Sequence, residues 1–204
     1  MKEFCAVIAG GTNSGFENIE KASFIIACDK GYEYALINNI RPDLLIGDFD
    51  SYKGELPNDI PTLKLSEEKD DTDTMSAIRY CIAKGFKHIV LYCALGGRLD
   101  HFYANIQAGA YAARHGTQVK MFDNNNVIYI ISNCYLTIPK KEGYSLSIFS
   151  LSDTCENVSI KGTKYSLDNE TLNNTFPIGV SNEWIDDAII KVGNGILIIM
   201  LSKL

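Results

Sequence analysis

The chain has 204 residues, 46% of them apolar and 22% charged, with a formal charge of −6, which allows one large domain or two small ones around a substantial core and excludes a disordered or fibrous chain. The acidic balance speaks against a general nucleic-acid or anionic-membrane binder, because both rely on basic surface to neutralise phosphates. Any phosphate site must be local and metal-assisted.

Six cysteines (Cys5, Cys28, Cys81, Cys93, Cys134 and Cys155) stand singly in apolar runs with no C-x-x-C pair, a usage that predicts buried thiols in a reducing, cytoplasmic setting. The opening apolar run ends at Gly10-Gly11 and is too short for a signal peptide or a membrane span.

Up to residue 123, short apolar runs alternate with amphipathic ones, the pattern of strands joined by crossover helices. Strands are predicted at residues 4–9, 24–27, 44–46, 89–94 and 119–122. A first helix is predicted over 31–39, closed by Arg41-Pro42. A second is capped by Thr72, carries Met75, Ile78 and Ile82 at helical spacing, and stops at Gly85. A third covers 99–115, with Leu99, Phe102, Ile106 and Ala110 on one side and Gly116 as its stop. Together these predict a βαβ-type, largely parallel sheet.

Beyond Asp123-Asn124-Asn125-Asn126 no helical period returns, and β-branched residues alternate with polar ones. Strands are predicted at 127–131, 144–149, 158–161, 188–192 and 196–201, the last two flanking Gly193-Asn194-Gly195 as a hairpin. The fold class is therefore α/β over 1–123, followed by a smaller all-β antiparallel sandwich over 124–204.

Chemistry-bearing residues recur where strands end or helices begin. Asp48 and Asp50 follow the apolar 44–46 run two residues apart, so on an extended backbone both carboxylates project to one side. Lys69-Asp70-Asp71-Thr72-Asp73 puts three acids in four residues at a helix start. Capping explains one or two of them, and Lys69 can neutralise the cluster or reach a phosphate oxygen. Gly96-Gly97-Arg98-Leu99-Asp100-His101 runs from a strand into a helix, where free amides, the helix terminus and the Arg98 fork suit an anion. His101 reads either as a base or as a first-turn residue. Asp29 is either the cap of the first helix or a further acid at the same sheet edge. One crevice can gather Asp29, Asp48, Asp50, Asp73 and Asp100, an all-oxygen set suited to Mg²⁺ on nucleotide phosphates. The P-loop, G-x-G-x-x-G, H-E-x-x-H and G-x-S-x-G patterns are absent, which disfavours common kinases, dinucleotide enzymes, zincins and serine hydrolases.

At these residues the sequence resembles thiamine pyrophosphokinases (thiamine diphosphokinases). The matching pieces are Ala27-Cys28-Asp29-Lys30-Gly31, Pro42-Asp43, residues 46–51, 69–74 and 95–101 with Asn105, then residues 161–167 and Gly179-Val180-Ser181-Asn182-Glu183. The resemblance implies an N-terminal α/β/α domain for ATP and Mg²⁺, a C-terminal sandwich that helps bind thiamine, and a homodimer with active sites between subunits. It places Asp48, Asp50, Asp73 and Asp100 at the metal and triphosphate, and Asp29, Ser51, Lys69, Gly96, Gly97 and Arg98 along the nucleotide. Ser181 and Asn182 fall near thiamine. Tyr165 stands where relatives often carry Trp, and Trp184 is either a stacking partner for the thiazolium or an anchor of the sandwich. The reaction implied is attack of the thiamine hydroxyl on the β-phosphorus of ATP with departure of AMP, a step that asks for alignment and charge neutralisation. One aspartate, Asp73 or Asp100, would orient or deprotonate the hydroxyl. The rival readings are a nucleotide-sugar transferase, which also uses a D-x-D pair, and a non-catalytic nucleotide or thiamine sensor.

Overall fold

The computed structural model describes residues 3–49, 52, 54–66 and 71–204. Strand β1 (Cys5–Ile8) leads through a 3₁₀ turn (Ile19–Lys21) to β2 (Phe24–Cys28), α1 (Lys30–Ile37), β3 (Leu44–Gly47) and β4 (Thr62–Lys64). Then come α2 (Asp73–Ala83), β5 (His88–Tyr92), α3 (Leu99–Arg114) and β6 (Gln118–Phe122). The six strands are parallel in the order β4-β3-β2-β1-β5-β6. The chain steps outward from β1 through β2 and β3 to β4, then returns to the other flank of β1 as β5. The carboxyl ends of β1 and β5 therefore bracket the point where strand order reverses, and it is there that an open α/β sheet presents a crevice to ligands.

Both sheet faces are covered, which is why these strands are almost continuously apolar. Cys5 and Val7 point with Ile26, Ile46 and Leu91 toward α2 and α3, meeting Ala77, Ile78, Cys81, Ile106 and Ala112. Phe4, Ala6 and Ile8 alternate to the opposite face, where Leu45 and Tyr92 join them against Tyr32 and Ala35 of α1. Each fully buried side chain of Ile78's size contributes roughly 2 kcal/mol. The helix signals hold. Thr72 Oγ1 accepts the Met75 N–H at 3.1 Å at the start of α2, and Gly85 and Gly116 take left-handed φ of 82° and 75° just beyond the ends of α2 and α3. Helix α1 stops earlier than expected, and Asn39 is left-handed at φ 55°.

The change of texture at Asp123 coincides with a tight turn, its Oδ1 accepting the amides of Asn125 and Asn126 at 2.7 Å. The sheet does not end there. Strand β7 (Asn126–Ile138) returns antiparallel to β6, pairing Val119 with Ile130 and Phe122 with Val127. It is followed by β8 (Tyr144–Ser150), β9 (Thr154–Thr163), β10 (Leu167–Asn173), β11 (Gly179–Asn182) and β12 (Trp184–Lys203), so among the described residues one mixed 12-stranded sheet runs through both parts. The second part has its own core, including Ile131, Leu146, Val158, Ile190 and Leu197. Strands β4, β10 and β11 were not expected from the sequence. β4 is three exposed residues on the sheet edge, and the short or largely exposed β10 and β11 carry little apolar alternation.

The expected hairpin at Gly193-Asn194-Gly195 is not formed. Strand β12 runs through it, with a register shift between Val192 and Ile196 against β7. The glycines are there for close approach. A Cβ on Gly193 would lie 2.8 Å from Asn157 Cβ, and one on Gly195 2.5 Å from Thr154 O. Asn133 of β7 and Asn157 of β9 are left-handed at the same level (φ 50° and 53°), so three neighbouring strands bend together and β12 exchanges β9 for β8 as its partner. Glycine within a strand marks a bulge as readily as a turn.

Candidate active site

A cavity of about 700 Å³ opens at the strand-order reversal, a volume suited to a nucleotide-sized ligand. Its walls are the β1 loop (residues 9–13), the β2–α1 junction with Cys28, Asp29, Lys30 and Tyr34, the start of α2 at Thr72 to Thr74, and the β5–α3 segment with Gly96, Gly97, Arg98, His101 and Asn105. Asn105 Nδ2 donates to Ala94 O at 2.8 Å, fastening α3 to the end of β5. Gly96 and Gly97 are exposed and left-handed (φ 77° and 75°), so their amides border the cavity without a side chain in front.

Asp29 does not cap α1 through its side chain and stands with the other acids at the sheet edge. It occupies the cap position of α1 without any side-chain capping bond. Its Oδ1 accepts the Phe49 N–H at 3.2 Å instead, and its carboxyl group hydrogen-bonds with that of Asp73. Burial, then the Asp73 carboxylate, push Asp29 up to about 7, with Asp48 adding a further upward push. Cys28 Sγ donates to Asp73 O at 3.7 Å, tying the end of β2 to the first residue of α2. Three strand ends here carry left-handed residues that are not glycine: Asp29 after β2, Phe49 after β3 and Cys93 after β5 (φ 41°, 57° and 54°). Each such conformation costs about 1–3 kcal/mol, and they gather where the fold holds a site in place.

The remaining expected residues divide. Asp48 is half-buried and near enough to Asp29 to act on its charge, but it does not line the cavity. Asp71 pairs with Arg79 at 2.5 Å and does not line the cavity. Asp100 is exposed and also lies outside the lining; Arg98 Nε and Nη2 donate to its two oxygens at 3.1 and 2.5 Å. Its carboxyl is lowered, first by that bond to Arg98. Asp50, Ser51 and Lys69 lie outside the described residues. Among the described residues, no three His, Cys, Asp or Glu side chains form a complete cation cage.

The β1 loop was missed. Its signal was Gly10-Gly11 directly after the first apolar run. Gly11 N–H donates to Cys93 O at 2.8 Å, and a Cβ on Gly11 would meet that oxygen at 2.4 Å, so the ends of β1 and β5 are laced together. Tyr34 OH donates to Gly11 O at 2.9 Å and holds the loop from the α1 side.

The residues expected near thiamine form a second group, and none of them lines this cavity. Asn182 is buried with its amide fully engaged. Its Oδ1 accepts the Tyr165 and Glu183 amides at 3.0 Å each, and its Nδ2 donates to Tyr165 O at 2.7 Å and Thr163 Oγ1 at 3.1 Å. Ser181 is exposed and left-handed (φ 56°), its amide donating to Ser147 Oγ at 3.0 Å. Trp184 packs on the second core, and its indole N–H donates to Tyr144 O at 2.7 Å.

A family model described as thiamin pyrophosphokinase, catalytic domain, matches residues 17–121, and a second, described as thiamin pyrophosphokinase, vitamin B1 binding domain, matches residues 133–197. The chain belongs to the thiamin pyrophosphokinase family. Membership makes it a thiamine diphosphokinase, an enzyme of ATP-dependent diphosphoryl transfer. It is 27% identical over 207 aligned residues to the thiamine pyrophosphokinase of Bacillus subtilis, covering 96% of this chain and 97% of that protein. The crystal structure of a Bacillus subtilis thiamine pyrophosphokinase superposes with a TM-score of 0.87 at 25% identity, over 98% of this chain and 99% of that one. The Candida albicans thiamin pyrophosphokinase shares the fold at 15% identity, with a TM-score of 0.76 over 99% of this chain and 89% of that one.

Proposed function

We propose that this chain transfers the diphosphoryl group of ATP to the primary hydroxyl of thiamine, with the triphosphate seated in the cavity at the β1–β5 reversal and Mg²⁺ as the divalent ion. The observation that carries the siting is the Asp29–Asp73 pair. Two carboxyl groups in hydrogen-bonding contact, with Asp48 close by, are like charges that need a proton or a cation between them. An all-oxygen set fits a hard cation that keeps part of its shell for water and phosphate. Asp29 and Asp73, which line the cavity, would hold it, with Asp48 beside Asp29 and Asp50 two residues further along the chain. When bound, the ion supplies charge neutralisation at the triphosphate.

The protein's own part is alignment. The Gly96 and Gly97 amides and the α3 terminus would border the phosphates, and Asp73 would orient the thiamine hydroxyl, a reading supported by its lining the cavity where Asp100 does not. Asp100 serves by holding Arg98. The structural neighbourhood of Asn182 supports a second, thiamine-facing element made of Ser181 and the Tyr165 loop, which Asn182 fastens. That element contributes nothing to the cavity lining within one protomer, and Tyr165, Phe176 and Ile178 are exposed on the loops beside it, with Val180 exposed on β11 and Ile185 on β12. Both facts favour a homodimer in which one subunit's β part, residues 124–204 folded as a sandwich, closes the α/β cavity of the other. Six cysteines without a disulfide suit a reducing cytoplasm.

Mass spectrometry of products from purified protein, ATP, Mg²⁺ and thiamine tests the assignment. Thiamine diphosphate and AMP in equal amounts are expected. Release of a nucleoside diphosphate from a sugar donor would favour the transferase reading, and binding without any product would favour a sensor.

A further inference from the structure

Among the described residues two cationic side chains line the cavity, Lys30 and Arg98, and they stand in different states. Arg98 is occupied. Its Nε and Nη2 grip both oxygens of Asp100 at 3.1 and 2.5 Å, so its fork is turned into its own loop. Lys30 opens α1 immediately after Asp29, and among the described residues no carboxylate lies within ion-pair distance of it. Its ammonium rests 5.4 Å from the centre of the Tyr34 ring. That ring is itself fixed, because Tyr34 OH donates to Gly11 O at 2.9 Å. The stem of Lys30 lies over Gly10, where an added Cβ would come within 3.4 Å of Lys30 Cβ. A flexible cation is thus parked on an aromatic wall, one residue from the acidic pair and beside the glycine loop.

We propose that Lys30 is a phosphate-binding residue of this cavity, its ammonium leaving the Tyr34 ring to meet the triphosphate of ATP. The inference rests on the reading that this cavity takes ATP. A resting place at Tyr34 costs little to leave, since on an exposed side chain water replaces both a cation–π contact and a bond to the phenol oxygen at small cost. A charge-assisted bond to phosphate is stronger, and a lysine, a compact charge with three donors on a long stem, can follow a phosphate that an arginine already engaged elsewhere cannot. The acidic side chains that hold a cation repel the polyphosphate wherever the cation does not intervene. Lys30 offsets that repulsion from the adjoining wall.

The experiment measures binding of α,β-methylene ATP, in which the scissile bridge is replaced, in the presence of Mg²⁺ by titration calorimetry. For Lys30→Met the dissociation constant is expected to rise about ten- to a hundredfold, the loss of one charge-assisted bond, whereas Lys30→Arg stays within about threefold of the parent. In turnover the Met variant raises KM for ATP and leaves KM for thiamine unchanged. Analogue binding by Lys30→Met within about twofold of the parent overturns the proposal, as does an Arg variant as impaired as the Met variant, which would make the position one of shape and not of charge. If the parent protein forms no thiamine diphosphate, the catalytic reading fails separately, and weakened analogue binding in Lys30→Met still supports the assignment of Lys30.

Discussion

The carboxylate of Asp29 occupies the space that a side chain on Gly47 would need: a Cβ built there lies 1.9 Å from Asp29 Oδ1 and 2.8 Å from Asp29 Cγ. Gly47 ends β3, Asp29 follows β2, and the two strands are paired in parallel up to Cys28 and Ile46. The bare backbone of Gly47 is therefore what lets Asp29 turn across to the Phe49 amide and to Asp73.

Replacing Gly47 by Ala is expected to push that carboxylate out of place. Overpacking at such a site costs about 1–3 kcal/mol, and a displacement of about 1 Å in a catalytic group costs roughly a hundredfold in rate. Thermal unfolding and kcat measured together check this, and an Ala variant with near-parental kcat would show that Asp29 is not needed where it stands.

Asp29 also makes stability depend on pH when the protein is held metal-free with EDTA. Its folded value near 7 lies above the ordinary carboxylate value of about 3.9, so the folded protein keeps a proton that the unfolded chain releases. The contribution is fully present below about pH 4 and is lost as pH rises through about 7. The groups facing Asp29 act in this sense, Asp73 and Asp48 pushing up, and only the Phe49 amide pulling down. A three-unit difference is at most about 4 kcal/mol, and solvent screening of a half-buried group reduces it to about 1–2 kcal/mol. The Tm of the parent should fall between pH 4.5 and 7.5 by a few degrees more than that of Asp29→Asn. Equal slopes in the two proteins would contradict the assignment.

What the sequence revealed followed from local physics. Thr72, Gly85 and Gly116 act within one helical turn, so their signals read directly. The acids at strand ends were visible as types but not as partners, because the Asp29–Asp73 contact joins β2 to α2 across the sheet. Asp71 shows the limit: it shares the acidic run with Asp73, yet Arg79 draws it away from the cavity. The β1 loop was overlooked because a glycine pair signals an ordinary turn as often as a site, and its link to Cys93 O depends on β5, more than eighty residues on. Gly193-Asn194-Gly195 misled for a related reason. The local pattern of a turn and that of a bulge are alike, and only Asn133 and Asn157 on the neighbouring strands decide between them.

Asn182 should behave as a fastening for the Tyr165 loop. Its amide satisfies four backbone or hydroxyl partners in a buried place, and removing it leaves several of them unsatisfied at about 1–3 kcal/mol each before relaxation. Asn182→Ala is expected to lower Tm and to raise KM for thiamine. Asn182→Asp keeps both acceptor bonds but loses the Nδ2 donor, so it should fall between Ala and parent in stability. An Ala variant of parental stability would show that the loop is held by something else.

Trp184 is the chain's single tryptophan, and its environment favours the anchor over the stacking partner. The indole N–H is committed to Tyr144 O at 2.7 Å, and the ring packs on the second core with Tyr144 and Leu167. That bond reaches from the first residue of β12 to the first residue of β8, so it closes the β part at one end. Trp184→Phe keeps the apolar contact and loses the donor, which predicts a loss of about 1 kcal/mol with KM for thiamine within about twofold. A stacking role predicts the reverse, unchanged stability with KM raised tenfold or more, because a desolvated cation–π contact contributes about 2 kcal/mol. Denaturant unfolding and steady-state kinetics on the same variant separate the two, and thiamine titration against the parent's tryptophan emission should show little quenching if the ring is an anchor.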